Sequence, residues 1–195
     1  MVTLHNFLKF ETVEELIKEA KTRSRLAYFT DSTHNVYLTP KNENLGPEHV
    51  FNRQLNSSKG CITTDQIPEN SKLKELYFSD IFKNFICRVV EEEALYEYAD
   101  PLSSINVHYA SEGQELNWHF DNSKFAITLL LQAPDSGGNF EYVSNLRNAD
   151  KDEMNFTGVE AVLNGETETN RLETHPGTLT LFRGQNSIHL SLIHI

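Results

Sequence analysis

The residues best placed to do chemistry together are His119, Asp121 and, far downstream, His189. In an extended segment residues i and i+2 project to the same side. The imidazole and carboxylate of His119-Phe120-Asp121 can therefore converge on one small ion. A His-x-Asp triplet also arises by chance, so its surroundings matter. Tyr109 stands upstream on a strand-like run, with Gly113 in the connecting turn, and the apolar run from Phe125 to Gln132 follows at once. Further on, Pro176 to Phe182 reads as a strand that turns at Gly184 and leads into Ser187-Ile188-His189. Two histidines and one carboxylate on a β scaffold form a facial triad that leaves open positions on Fe(II), as O2 chemistry requires. Zinc is the competing ion, but its common helical His-Glu-x-x-His pattern is absent.

The elements that must position these residues follow from periodicity. A Thr12-to-Glu15 capping box predicts a helix with Val13, Leu16, Ile17 and Ala20 on one face. A second helix is predicted over 79–91, where Ile81, Phe82, Phe85, Ile86, Val89 and Val90 recur at helical spacing. Residues 40–60 read as a long irregular excursion. After Asp100-Pro101 the pattern alternates as strands do, in 105–109, 125–131, 139–143 and 178–182. Gly137-Gly138 and Pro176-Gly177 mark turns, and Asn164-Gly165 reads as the turn of a hairpin joining 159–163 to 167–172. The expected fold class is α+β, mainly β: a jelly roll with N-terminal helices (1–100) packed outside a β core (101–189), all in one domain.

Composition bounds the function. The chain has 195 residues, enough for a real core, and a formal charge of −11, which argues against a nucleic-acid surface. No apolar run is long enough to span a membrane, and no secretory signal is visible at the N-terminus. Two cysteines, Cys61 and Cys87, without metal-ligand spacing fit a reduced, cytoplasmic compartment. Three other positions are candidates near the triad. Trp118 precedes the first ligand and either walls a pocket or packs as core, and Asn122 follows the carboxylate and either reaches substrate or serves a turn. Tyr109 is the third, a core residue or one whose further role rests on the resemblance given below. His108, His175 and Glu91-Glu92-Glu93 read as surface features.

Tyr109, Gly113, His119-x-Asp121, the strand Gly138-x-Phe140-Glu141-Tyr142 and the block from Pro176 through Gly184 and Ser187 to His189 resemble the Fe(II)/2-oxoglutarate-dependent oxygenases. Within them, the wording is similar to the free-amino-acid radical halogenases and their hydroxylase relatives. The resemblance covers roughly residues 95–189. It implies a double-stranded β-helix holding Fe(II) through His119, Asp121 and His189. It also implies 2-oxoglutarate chelating the metal, with a carboxylate near Tyr109, and O2 consumed as 2-oxoglutarate is converted to succinate. Halogenating members have Gly or Ala in place of the metal carboxylate; Asp121 therefore points to hydroxylation. The implied substrate is a free amino acid or a similarly small polar metabolite. Competing classes are a non-catalytic jelly-roll binding module and a cupin-like metalloenzyme that uses no 2-oxoglutarate.

The family pattern continues past the distal histidine into a strand with an arginine that pairs with the 2-oxoglutarate carboxylate. Here Leu190-Ser191-Leu192-Ile193-His194-Ile195 follows instead, a hexapeptide matching a translated sequencing adapter. Residues 190–195 are accordingly expected to be a non-native tail that replaces the last strand and its arginine. Arg147, Arg171 and Arg183 remain, none of them after His189.

Overall fold

The apolar alternation read from the sequence builds the strands that carry the site. The computed structural model describes residues 1–100, 102–134, 138 and 140–192. In chain order the elements are β1 (Val2–Leu4), α1 (Phe10–Arg23), β2 (Tyr28–His34), β3 (Leu55–Ile62), α2 (Lys72–Tyr77), α3 (Asp80–Val90) and β4 (Val107–Tyr109). They continue with β5 (Glu115–His119), β6 (Ala126–Leu129), β7 (Phe140–Val143), α4 (Phe156–Leu163), β8 (Asn170–Leu172), β9 (Leu179–Phe182) and β10 (Ile188–Leu192). Two compact units result, one of Met1–Leu8, Thr30–Lys59 and Ala110–Ile195, the other of Lys9–Phe29 and Gly60–Tyr109.

The first unit is mainly β. Its larger sheet runs β2-β3-β5-β10-β7-β8, and its smaller sheet is antiparallel in the order β1-β9-β6. Strand β9 is buried along its whole length, so both faces of Leu179-Thr180-Leu181-Phe182 are covered. The core gathers Val36, Tyr37, Val50, Phe120, Val159, Val162 and Ile188, of which Val36, Phe120, Val159 and Ile188 are wholly buried. Burying one such side chain contributes about 1.5–3 kcal/mol, which anchors the strands flanking Phe120 and Ile188. Those two residues adjoin His119, Asp121 and His189, so the core fixes the site.

The second unit holds α1, α2, α3 and β4. Val13 and Leu16 bury one face of α1, as the sequence predicts, and Ile86 is the buried residue of α3. Ser71 caps α2 by accepting from the Leu73 amide and donates its hydroxyl to Glu19 of α1 at 2.7 Å. Strand β4 pairs with the Gly60–Ile62 end of β3.

Several expectations are corrected. Helix α1 starts at Phe10 with Lys9 at its N-cap and no side-chain cap, so the Thr12–Glu15 capping box does not form. Strands β1, β2 and β3 lie within the 1–100 stretch expected to be helical, and the irregular excursion ends at Leu55 rather than 60. Ile127 is 41% exposed although alternation assigns it to a buried face.

The Asn164-Gly165 hairpin is absent, because residues 156–163 form α4. The Asn155 side chain accepts from the Gly158 amide to start this helix, and Val159 and Val162 bury its inner face. Gly165, at φ +73°, ends it: its amide donates to Val162 and the Glu166 amide to Ala161, a Schellman closure. The dipeptide read as a hairpin turn is thus a helix stop.

The jelly-roll class holds. Of the tail, Leu190 is buried and Ser191 and Leu192 pair with Leu116 and Glu115, so apolar alternation completes a strand there. Residues 193–195 lie outside the described residues, as does Gly137 of the expected turn.

Candidate metal centre

The site is built across one strand pair. In the antiparallel pairing of β5 with β10, His119 stands directly opposite His189. The register shifts between His189 and Ser191, an irregularity that re-aims side chains locally. Asp121 follows β5 by two residues. Phe120 between them points into the core, its amide donating to Val36 at 2.8 Å, and so turns its two neighbours together to the other side.

The ligating atoms of His119, Asp121 and His189 all lie within 4.8 Å of one another. Both imidazole Nε2 atoms are 3.7 Å from Asp121 Oδ1. Each Nδ1 faces a backbone carbonyl, Asn117 at 2.8 Å for His119 and Ser187 at 3.0 Å for His189. A carbonyl only accepts, so Nδ1 carries the proton and Nε2 turns its lone pair to the shared centre. Phe140 and Phe182 flank the His189 ring at 5.5 and 4.8 Å, and the two histidine rings are 4.2 Å apart.

Burial keeps these imidazoles neutral. His119 is driven down to about 3, chiefly by desolvation and then by neighbouring His189, and desolvation likewise lowers His189. Desolvation pushes the Asp121 carboxyl up, partly offset by His189 and Lys59. Its Oδ2 is buried with no hydrogen-bond partner among the described residues. A buried carboxylate whose Oδ1 stands 3.7 Å from two inward-facing imidazole lone pairs, and whose Oδ2 is unpartnered among the described residues, is the donor set of a divalent-cation site, and the three residues fit the metal of a facial triad.

Gly184 shapes this carboxylate. Its carbonyl accepts from the Asp121 amide at 3.1 Å, and a Cβ built on it would lie 1.8 Å from Asp121 Oδ2. The glycine is needed for the room it leaves.

Asp121 also reaches the wall of a cavity of about 550 Å³. Tyr37, Phe51, Asn122, Arg147, Met154 and Gln185 contribute to its lining. Asn122, read from sequence as a possible substrate contact, is therefore in the cavity. Trp118 is not among the lining residues; it packs against the core cluster on the face of β5 opposite His119. Tyr109 belongs to the second unit, where its hydroxyl donates to the Ala20 carbonyl at 2.7 Å.

Arg147 is the residue the sequence did not single out for the site. Its guanidinium lies over the Phe120 ring at 4.1 Å from the centroid, and its Nε donates to the Gln185 carbonyl at 2.6 Å. No sequence motif marks it, since its reach depends on a turn next to Gly184.

The comparisons bear on the family and the fold. The family model for Halogenase D matches residues 50–192. An oxidoreductase of the 2OG-Fe(II) oxygenase family from Burkholderia pseudomallei is similar over 97% of this chain and 76% of its own, with 10% identity and a TM-score of 0.54. A prolyl-4-hydroxylase from Pseudomonas putida is similar over 98% of this chain and 83% of its own, with 13% identity and a TM-score of 0.54. No curated protein matches the chain in sequence. With the matched segment spanning most of its length, the chain belongs to the Halogenase D family and is an enzyme built on the 2-oxoglutarate/Fe(II) oxygenase fold.

Proposed function

We propose that this chain is an Fe(II)- and 2-oxoglutarate-dependent hydroxylase of a free amino acid or similarly small polar metabolite, with His119, Asp121 and His189 as the metal ligands. The observation that carries the reading is the convergence of two Nδ1-protonated imidazoles and a buried, unpartnered carboxylate oxygen. When bound, the metal supplies activation of O2 coupled to oxidative decarboxylation of 2-oxoglutarate. The protein's own residues prepare for that chemistry. Asn117 and Ser187 carbonyls fix the imidazole tautomers, and Phe140 and Phe182 exclude water from one side of His189.

Asp121 decides between the two outcomes known for the resemblance. Its carboxylate fills the position that halogenating relatives leave open, and it packs on Gly184 with no space to spare. Oxygen insertion is therefore the reaction we assign, although the family carries a halogenase name. The cavity beside Asp121 is of a size to take a small metabolite. Tyr109, for which the resemblance implies cosubstrate binding, donates its hydroxyl to the Ala20 carbonyl of its own unit. Two cysteines that form no disulfide support a reduced, cytoplasmic setting.

Succinate release with Fe(II) and 2-oxoglutarate across a panel of free amino acids tests the reading. At least one amino acid should raise release above the amino-acid-free control, with a product 16 mass units heavier than its substrate (one added oxygen). No metal-dependent succinate with any 2-oxoglutarate concentration would sink it.

A further inference from the structure

Of the charged groups lining the cavity beside Asp121, Lys41 pairs with Glu43 at 3.4 Å, whereas the Arg147 guanidinium forms no ion pair among the described residues. Arg147 is half-buried, and its guanidinium is fixed on three sides. The Phe120 ring lies beneath it at 4.1 Å and Tyr37 at 5.4 Å, Nε donates to Gln185, and Nη1 reaches Met154 Sδ at 3.7 Å. The second Nη1 proton and both Nη2 protons have no partner among the described residues, and no carboxylate there forms an ion pair with the group. Arg171, by contrast, pairs with Glu141 at 3.0 Å.

Half-burying a guanidinium without an ion-pair partner carries part of the desolvation cost of a buried charge, which aromatic stacking only partly offsets. Such an arrangement makes physical sense when a ligand completes the pairing. The unused protons point a forked donor at the cavity, and the fork matches a carboxylate. The turn that carries Gln185 also carries Gly184, whose carbonyl holds the Asp121 amide. One turn thus sets both the metal-site carboxylate and the cavity cation.

We propose that Arg147 is the carboxylate anchor of this cavity, so that the molecule seated beside Asp121 is a carboxylate-bearing small molecule paired with the guanidinium. This rests on the oxygenase reading and adds to it a ligand class and a specificity residue. Arg147 precedes His189 in the chain, and so is a different residue from the arginine expected after the distal histidine. The carboxylate belongs either to the primary substrate or to 2-oxoglutarate, and the two have separable signatures.

The test uses the full chain loaded with Mn(II), which binds without turnover, and titration calorimetry. One probe pair is 2-oxoglutarate against its distal amide, 2-oxoglutaramate. The other is each free L-amino acid against its α-carboxamide. Wild type should prefer the carboxylate of one pair by on the order of 10- to 100-fold, and Arg147→Gln should abolish that preference. Loss confined to the first pair assigns the cosubstrate, and loss confined to the second assigns the substrate. Absence of preference in wild type, or its survival in folded Arg147→Gln, overturns the proposal. Should Arg147→Gln not fold, Arg147→Lys serves: a point charge replacing the fork should cut the preference about tenfold, and an unchanged preference overturns it equally. Succinate release by wild type judges the oxygenase reading separately. A carboxylate preference without succinate would remove that reading and leave the anchor standing.

Discussion

Substituting Gly184 by alanine tests the site at a residue that offers no ligand. The added Cβ would lie 1.8 Å from Asp121 Oδ2 and 2.6 Å from its Cγ. Ordinary contact requires the oxygen to retreat by roughly 1.5 Å. The backbones cannot simply part, because the Asp121 amide donates to the Gly184 carbonyl at 3.1 Å and wholly buried Phe120 pins the preceding residue. The strain must be relieved by rotating the carboxylate out of the triad. Metal–ligand distances tolerate about 0.2 Å, so a shift several times larger costs the third ligand. We expect Co(II) affinity in Gly184→Ala to fall by at least about 10- to 100-fold, the range seen when support around metal ligands is removed.

Titration calorimetry measures that affinity, and thermal melts with and without Co(II) separate it from folding. The metal-free variant should melt close to metal-free wild type, because rotation breaks no hydrogen bond of the buried Oδ2 among the described residues and moves it toward the exposed quarter of the side chain. Metal-induced stabilisation should shrink by about 2.7 kcal/mol for a 100-fold weaker Kd. Paired with Asp121→Ala, the two changes should be strongly non-additive, since both remove the same ligand. Wild-type affinity in folded Gly184→Ala would refute the claim that this glycine exists to make room for the carboxylate.

Asp121→Gly should abolish hydroxylation and clear the space beside Gly184; product mass spectrometry with chloride present checks this, and a chlorinated product from the unmutated enzyme would refute the assignment of Asp121. Metal-free protein should lose stability on acidification between pH 6.5 and about 3, because the unfolded chain binds a proton at His119 that the folded chain, with its imidazole held down, refuses. That contribution is complete above the unfolded pKa and lost as pH falls, so urea midpoints at pH 7.5 and 4.5 should separate more for wild type than for His119→Gln. Gly165→Ala should destabilise by about 1 kcal/mol through its positive φ alone, since a Cβ there meets nothing within 4 Å; no change in urea midpoint would undercut the helix-stop reading of Asn164-Gly165.

The convergence of the three side chains was legible where it depends on local spacing. His119 and Asp121 share a face because extended backbone alternates, and Phe120 between them is apolar because the opposite face is core. His189 was legible because a buried strand and a turn precede it. The boundaries were less so. Asn-Gly can form a tight hairpin turn or end a helix, since both need positive φ, and only the burial of Val159 and Val162 three residues apart chooses the helix. Strands β2 and β3 were missed because their burial does not follow strict alternation, with β2 mostly exposed and β3 covered irregularly.

What the sequence hid most completely is the part that long side chains and close packing decide. A search for a cation after His189 follows a family's order along the chain, but a guanidinium reaches its partner through space. Arg147 enters the cavity because Phe120, fixed in the core by its neighbours, presents a ring face to it and Gln185 a carbonyl. Gly184 hid in the opposite way, as a glycine in an obvious turn. Its function lies in the missing Cβ, which is visible only once Asp121 is folded against it. Both residues meet at one turn before β10, so the ligand-facing properties of the site depend on a short segment with no ligand of its own. A change that moves this turn should disturb the metal carboxylate and the cavity cation together, whereas a change at His119 or His189 should disturb the metal alone.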